Sequence, residues 1–168
     1  MTARGHRVLT TAGSDEKCAA CVKLGAARAI NYRTEDFVEV VKAETNGKGV
    51  DVILDMVGGD YVMRNVNSLA RAGRMVNIAY MKGAKVEVDF RIVQNRLLSM
   101  SATGLRGRPE NEKGKIRDAL RREVWPLFDA GKLHAVTDRV MPLAKAQAAH
   151  DLMRESSHIG KILLAPEH

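Results

Sequence analysis

The sequence predicts an α/β fold: a parallel sheet with helices on both faces. Three observations carry that expectation. Short apolar runs alternate along most of the chain with amphipathic stretches of ten or more residues. One run, 52–57 (VILDMV), is almost wholly apolar, as strands covered on both faces are. Helix-capping or glycine residues follow several runs at once, at Gly13–Ser14, Gly58–Gly59 and Gly104.

Taken in order, 7–11 (RVLTT) reads as a strand. Ser14 then suits a helix N-cap, with Asp15 and Glu16 in the positive first turn, and Gly25 closes that helix. Residues 29–32 (AINY) form a second strand. Thr34 is expected to cap a second helix whose apolar side is Phe37, Val38, Val40 and Val41, ended by Asn46–Gly47. Strand 52–57 follows, then a helix from about Asp60 carrying Val62, Val66 and Leu69. Ala72–Gly73 turns the chain into strand 74–80 (RMVNIAY), and 97–103 (LLSMSAT) is a fifth strand. Residues 104–115 are polar and basic, expected as a loop. A helix over 115–130 follows, with Pro126 disturbing its last turn. A short strand at 136–140, an alanine-rich helix at 143–154 and a strand at 161–164 complete the chain. The alternation changes character near Gly131. Two parts are therefore expected, 1–133 and a strand–helix–strand tail at 134–168.

Composition excludes several classes of function. Aromatic residues make up 4 % of the chain, too few for a base-stacking surface. The 27 Lys and Arg are scattered among 20 Asp and Glu. The net charge of +7 therefore reads as a mildly basic solvated surface, with no nucleic-acid partner expected. The densest basic stretch, 106–122, is interrupted by Glu110, Glu112 and Asp118. No apolar run approaches the ~20 residues of a membrane span, and no signal peptide is visible, so a cytoplasmic protein without a membrane partner is expected. Cys18 and Cys21 have no second pair and no histidine at ligand spacing. His6, His134, His150, His158 and His168 are dispersed. No metal site is expected.

Open parallel sheets bind ligands beyond the carboxyl ends of their strands. The first such end carries Ala12–Gly13–Ser14, with Lys17 one helical turn on. A dinucleotide fold that prefers NAD places an acid there to accept from the ribose hydroxyls. A hydroxyl, a helix N-terminus and an ammonium group suit a 2′-phosphate instead. Ser14 as a plain cap and Lys17 as a solvated side chain is the other reading, and spacing does not choose between them. Tyr32 and Arg33 follow the second strand, Val57–Gly58–Gly59 the third, Tyr80 and Lys82 the fourth, and Gly104–Leu105–Arg106 the fifth. Asp55, inside an apolar strand, either bonds backbone amides or faces the cleft.

No G-x-G-x-x-G occurs. A complete dinucleotide fold needs an earlier strand and glycine turn, and Thr2–Gly5 is expected to be the tail of the helix that follows them. The segments GHRVLTTAGSDEKCAACVKLGAARAINYRTEDF, GVDVILDMVGGDYV, RAGRMVNIAYMKG and HIGKILLAP, in this order and spacing, resemble the zinc-independent quinone oxidoreductases. These, with ζ-crystallin, are medium-chain dehydrogenase/reductases. The resemblance implies an incomplete Rossmann-type domain over 1–133 that lacks the first strand and glycine-rich turn. It implies that 134–168 returns to a catalytic domain. The implied cofactor is NADP(H), the implied acceptor a quinone or enone-type molecule, and the implied assembly a homodimer.

By position, the resemblance places Ser14 and Lys17 at the 2′-phosphate and Tyr32 beside the adenosine. It places Val57 and Gly58 under the middle of the cofactor, and Ile78, Ala79 and Tyr80 near the nicotinamide. Leu105 and Arg106 fall at the substrate cleft and dimer edge. It names no acid or base in this chain, and without the pyrophosphate turn and the catalytic domain the 168 residues alone are expected to be inactive, or nearly so. The competing expectation is a non-catalytic, oligomeric nucleotide-binding or interaction module.

Overall fold

In a computed structural model that describes residues 1–166, the chain forms seven strands and seven α-helices. The strands are β1 (Leu9–Ala12), β2 (Arg28–Asn31), β3 (Val50–Asp55), β4 (Leu69–Asn77), β5 (Ser99–Ala102), β6 (Thr137–Pro142) and β7 (Lys161–Ala165). The helices are α1 (Asp15–Lys23), α2 (Phe37–Glu44), α3 (Tyr61–Ser68), α4 (Phe90–Arg96), α5 (Glu110–Glu123), α6 (Trp125–Asp129) and α7 (Ala146–Glu155). Every strand pair is parallel. The ladders are β1–β2, β3–β4–β5 and β6–β7. The expected α/β class is the observed one. His168 lies outside the described residues.

Alternation along β2 shows how helices cover the two faces. Ile30 points into a cluster with Phe37, Val38 and Val41 of α2. Ala29 and Asn31 are buried on the other side, where Asn31 Nδ2 donates to Asp15 Oδ1 of α1 at 2.7 Å. Helix α3 joins the first two ladders. Its Tyr61 belongs to the α2 cluster, which also takes in Leu9 of β1 and Val50 of β3. Its Val62 and Val66 pack with Leu69, Met75 and Leu98, against Ile53 and Met100. The register Ile53↔Met75↔Met100 puts these three side chains on the α3 side of one sheet. Full burial of one such side chain contributes about 1.5–3 kcal/mol. The opposite face of β3 is uncovered: Val52, Leu54 and Met56 are 44 %, 63 % and 47 % exposed. This corrects the expectation that both faces of that run are covered.

Several boundaries move. The second helix is capped by Asp36, whose Oδ1 accepts from Val38 N–H at 3.0 Å. The expected cap, Thr34, instead donates its N–H to Asn31 O inside the preceding turn. Leu69, expected on a helix, begins β4, and β4 ends at Asn77 rather than at residue 80. Helix α4 occupies a stretch given no element from sequence. Half of the expected 104–115 loop is helical, because α5 starts at Glu110 behind Pro109. Pro126 falls in the first turn of α6, where a proline is tolerated, and the long helix ends at Val124. Residues Thr2–Arg4 form one 3₁₀ turn closed by Gly5.

Candidate functional site

The strands are parallel within each ladder, so β1 and β2 end together, as do β3, β4 and β5, and the contact between the Tyr32 and Tyr61 rings brings the two sets of ends near each other. At β1, Ser14 caps α1, its Oγ accepting from Lys17 N–H at 3.3 Å. The cap fixes Lys17 in the first turn, next to the amides that an anion would meet. The Lys17 ammonium is not free: it donates to the main-chain oxygen of Ser156, and its Nζ lies 3.4 Å from Ser156 Oγ. Ser156 is the left-handed cap of α7, φ 56°. The tail thus reaches the first strand end, a contact that spacing alone did not show.

Tyr32 lies one residue past β2, not within it. Its ring meets Tyr61 edge-on with centroids 6.4 Å apart. Its hydroxyl covers Gly13, where a Cβ would lie 2.5 Å from the Tyr32 oxygen. A side chain at 13 would have to displace the Tyr32 ring. Tyr61 is buried beneath, and that burial raises its phenol above the ordinary value, against the opposing charges of Arg64 and Lys82. Lys82 Nζ stands 4.9 Å from the Tyr61 ring centre.

At the ends of β3 and β4, two segments are zipped together. Ile78 N–H donates to Asp55 O at 2.8 Å, Met81 N–H to Met56 O at 3.2 Å and Lys82 N–H to Val57 O at 2.7 Å. Gly58, with φ 66°, sits so close that a Cβ would lie 2.6 Å from Gly83 O. The turn at Val57–Gly58 and the strip Ile78–Ala79–Tyr80 are thus adjacent at the ends of β3 and β4, as two walls of the candidate site. Ile78 to Tyr80 follow β4 instead of forming its end. Leu105 and Arg106 stand apart in an exposed turn held by Arg108, which donates to Gly104 O and Thr103 Oγ1.

Three side chains anchor these ends: Asn31 and Asn77, which were missed from sequence, and Asp55, which takes the first of its two expected roles by bonding backbone amides. Asn31 receives Arg33 N–H on Oδ1 at 3.2 Å, while its main-chain N–H donates to Glu35 Oε2 at 3.0 Å. Asp55 and Asn77 bond each other at 2.6 Å in a buried pair. The signal available was a polar residue closing an apolar run, as in AIN, ILD and MVN. Cys18 is not an activated nucleophile. Burial and then Cys21 raise its thiol above the ordinary value. Among the described residues no three His, Cys, Asp or Glu gather at a spacing that holds a metal ion. No described helix is long and apolar enough to cross a membrane.

Against known proteins, a family profile described as zinc-binding dehydrogenase matches residues 24–164. The 2-haloacrylate reductase of a Burkholderia species is 34 % identical over 176 residues, which cover 97 % of this chain and 49 % of that protein. Quinone oxidoreductase 1 of Escherichia coli K12 is 33 % identical over 167 residues, covering 98 % and 50 %. The chain spans about half the length of these curated relatives. The crystal structure of Escherichia coli quinone oxidoreductase complexed with NADPH matches with a TM-score of 0.82 at 32 % identity, over 98 % of this chain and 51 % of that one. That of an NAD-dependent alcohol dehydrogenase matches at 0.79 and 30 %, over 96 % and 44 %. With the parallel strands and site walls described above, these matches show that the chain belongs to the zinc-binding dehydrogenase family, within the medium-chain dehydrogenase/reductase superfamily.

Proposed function

We propose that this chain is the cofactor-binding part of an NADPH-dependent reductase that passes hydride to an electrophilic acceptor of the quinone or enone type. One observation carries the cofactor choice. The end of β1 presents a capping hydroxyl and an ammonium group, Ser14 and Lys17, where an NAD-preferring site needs a carboxylate. The likeness to a quinone oxidoreductase complexed with NADPH supports the same reading.

In this reading Ser14 and Lys17 hold the 2′-phosphate, and Tyr32 lines the adenosine. Val57 and Gly58 pass beneath the diphosphate, where Gly58 leaves the backbone approachable. Ile78, Ala79 and Tyr80 form the apolar wall at the nicotinamide. Leu105 and Arg106 are the outermost candidates, toward the acceptor and a second subunit. The bound cofactor supplies the hydride. The chain's own residues orient it and exclude water on the side they cover, and none is assigned a proton transfer. No step is routed through zinc, for which the described residues gather no ligand set.

Residues 1–133 are the cofactor part and 134–168 the segment directed at the catalytic part. The free edge of β5 supports a homodimer, and two unpaired thiols support a cytoplasmic setting.

The test is a titration of the 168-residue chain with NADPH and NADH, followed by fluorescence. NADPH should bind more tightly, and Lys17→Ala should narrow the preference by roughly ten-fold. An unchanged ratio removes Lys17 from the site. Turnover with NADPH and a quinone is expected to be undetectable for these residues alone, since they span half a relative's length. The second reading, an oligomeric module without catalysis, is favoured by the bare side of β3. Sedimentation equilibrium showing a tight oligomer, with no cofactor binding, would support it.

A further inference from the structure

Asp55 closes β3 and is 4 % exposed. Its Oδ1 accepts from Val57 N–H at 2.9 Å, and its Oδ2 from Gly58 N–H at 3.0 Å and Asn77 Nδ2 at 2.6 Å. One carboxylate therefore holds both amides of the turn and the last side chain of β4. Its main-chain oxygen takes Ile78 N–H, the first amide beyond that strand. Asp55 thus meets the turn through its carboxylate and the strip through its main-chain oxygen.

We infer that Asp55 is a positioning residue. It sets the separation of the Val57–Gly58 turn from the Ile78–Tyr80 strip, so that one dinucleotide spans both. The inference rests on the cofactor reading given above. It assigns Asp55 no contact with the cofactor. All three donors come from the protein, and the acceptor pattern is specific. An asparagine has the same shape but turns one oxygen into an N–H donor. Whichever way its amide is oriented, it sets donor against donor at Val57, or at Gly58 and Asn77.

The experiment uses two ligands and three variants of the chain. 2′,5′-ADP probes the β1–β2 ends alone, and NADPH probes the whole track. Asp55→Asn should leave the Kd for 2′,5′-ADP within about two-fold and weaken NADPH by about ten-fold or more. Asn77→Ala removes one of the three donors and should weaken NADPH by about three-fold, again sparing 2′,5′-ADP. The double variant Asp55→Asn/Asn77→Asp restores an amide–carboxylate pair between the strand ends and should recover part of the loss. A merely structural role predicts that loss and recovery appear equally with 2′,5′-ADP.

Should Asp55→Asn fail to give a cooperative melt, Asn77→Ala alone decides, because it leaves the turn's two amide bonds in place. Equal weakening of both ligands, or unchanged NADPH affinity in both single variants, overturns the inference and spares the cofactor reading. Failure of the unaltered chain to bind either ligand overturns both.

Discussion

Strands β2 and β3 look alike in sequence and differ in the fold. β2 is short and carries its apolar side chains between two layers, α2 on one face and α1 on the other. β3 is the more apolar, yet helices cover only the face that bears Ile53 and Asp55. The face that bears Val52, Leu54 and Met56 stands open. An alternating strand announces that one side is wet. A strand apolar on both sides announces that each side requires cover, without saying what supplies it. The difference teaches that hydrophobic pattern records a requirement, and that the described residues meet it fully for β2 and by half for β3.

That contrast can be broken or sharpened. The largest effect belongs to the covered side, where Met75→Ala should cost about 2–5 kcal/mol in urea unfolding, through the cavity left between α3 and β4. A cost under 1 kcal/mol would mean that this face is as loosely held as the open one. Arg96→Ala comes next. Its guanidinium donates to Asn67 O at 3.1 Å and Leu69 O at 3.2 Å, where α3 runs into β4, and the loss should be about 1 kcal/mol.

Asp36→Ala removes the cap of α2 and should cost about 1 kcal/mol near neutral pH. The Val38 amide, and then Arg64, hold the Asp36 carboxyl below its ordinary value. A folded value below the unfolded one means that the contribution is complete above the usual carboxylate range. It fades as pH falls through the folded value. Melts at pH 7 and pH 3 should therefore differ less for the variant than for the unaltered chain.

The smallest effect is expected on the open face. Leu54→Ser should change stability by no more than about 0.5 kcal/mol while reducing self-association in sedimentation velocity. A loss comparable to that of Met75→Ala would show that this face is covered in solution.

Much of the fold was legible because its punctuation is conventional. Ser14 caps α1, and Gly25, Gly47 and Gly58 adopt positive φ at the ends of elements. Misreadings cluster where punctuation is lacking. Ser68 folds its hydroxyl back to Arg64 O, and Leu69 enters the extended region directly, so helix becomes strand with no turn residue between them. Leu97 takes the left-handed position at the end of α4 that a glycine ordinarily marks, so its apolar side chain read as the start of a strand. Within the site, the walls were legible as strand ends. Of the anchors, Asp55 was legible as an acid in an apolar strand, whereas Asn31 and Asn77 were not, because each bonds a carboxylate on another element. Ser156 is 139 residues from the lysine it engages, and no local pattern encodes such a contact.

That last contact changes what Lys17 can contribute. Its ammonium already has a partner in the Ser156 main-chain oxygen. If Lys17 meets the 2′-phosphate as proposed, that phosphate would exchange one acceptor for another instead of finding a bare charge. The selectivity from Lys17 would then be the difference between a dianion and a carbonyl. The segment after α7 would be freed to the extent that the exchange occurs, which would tie cofactor discrimination at the first strand end to the anchorage of the chain's last strand.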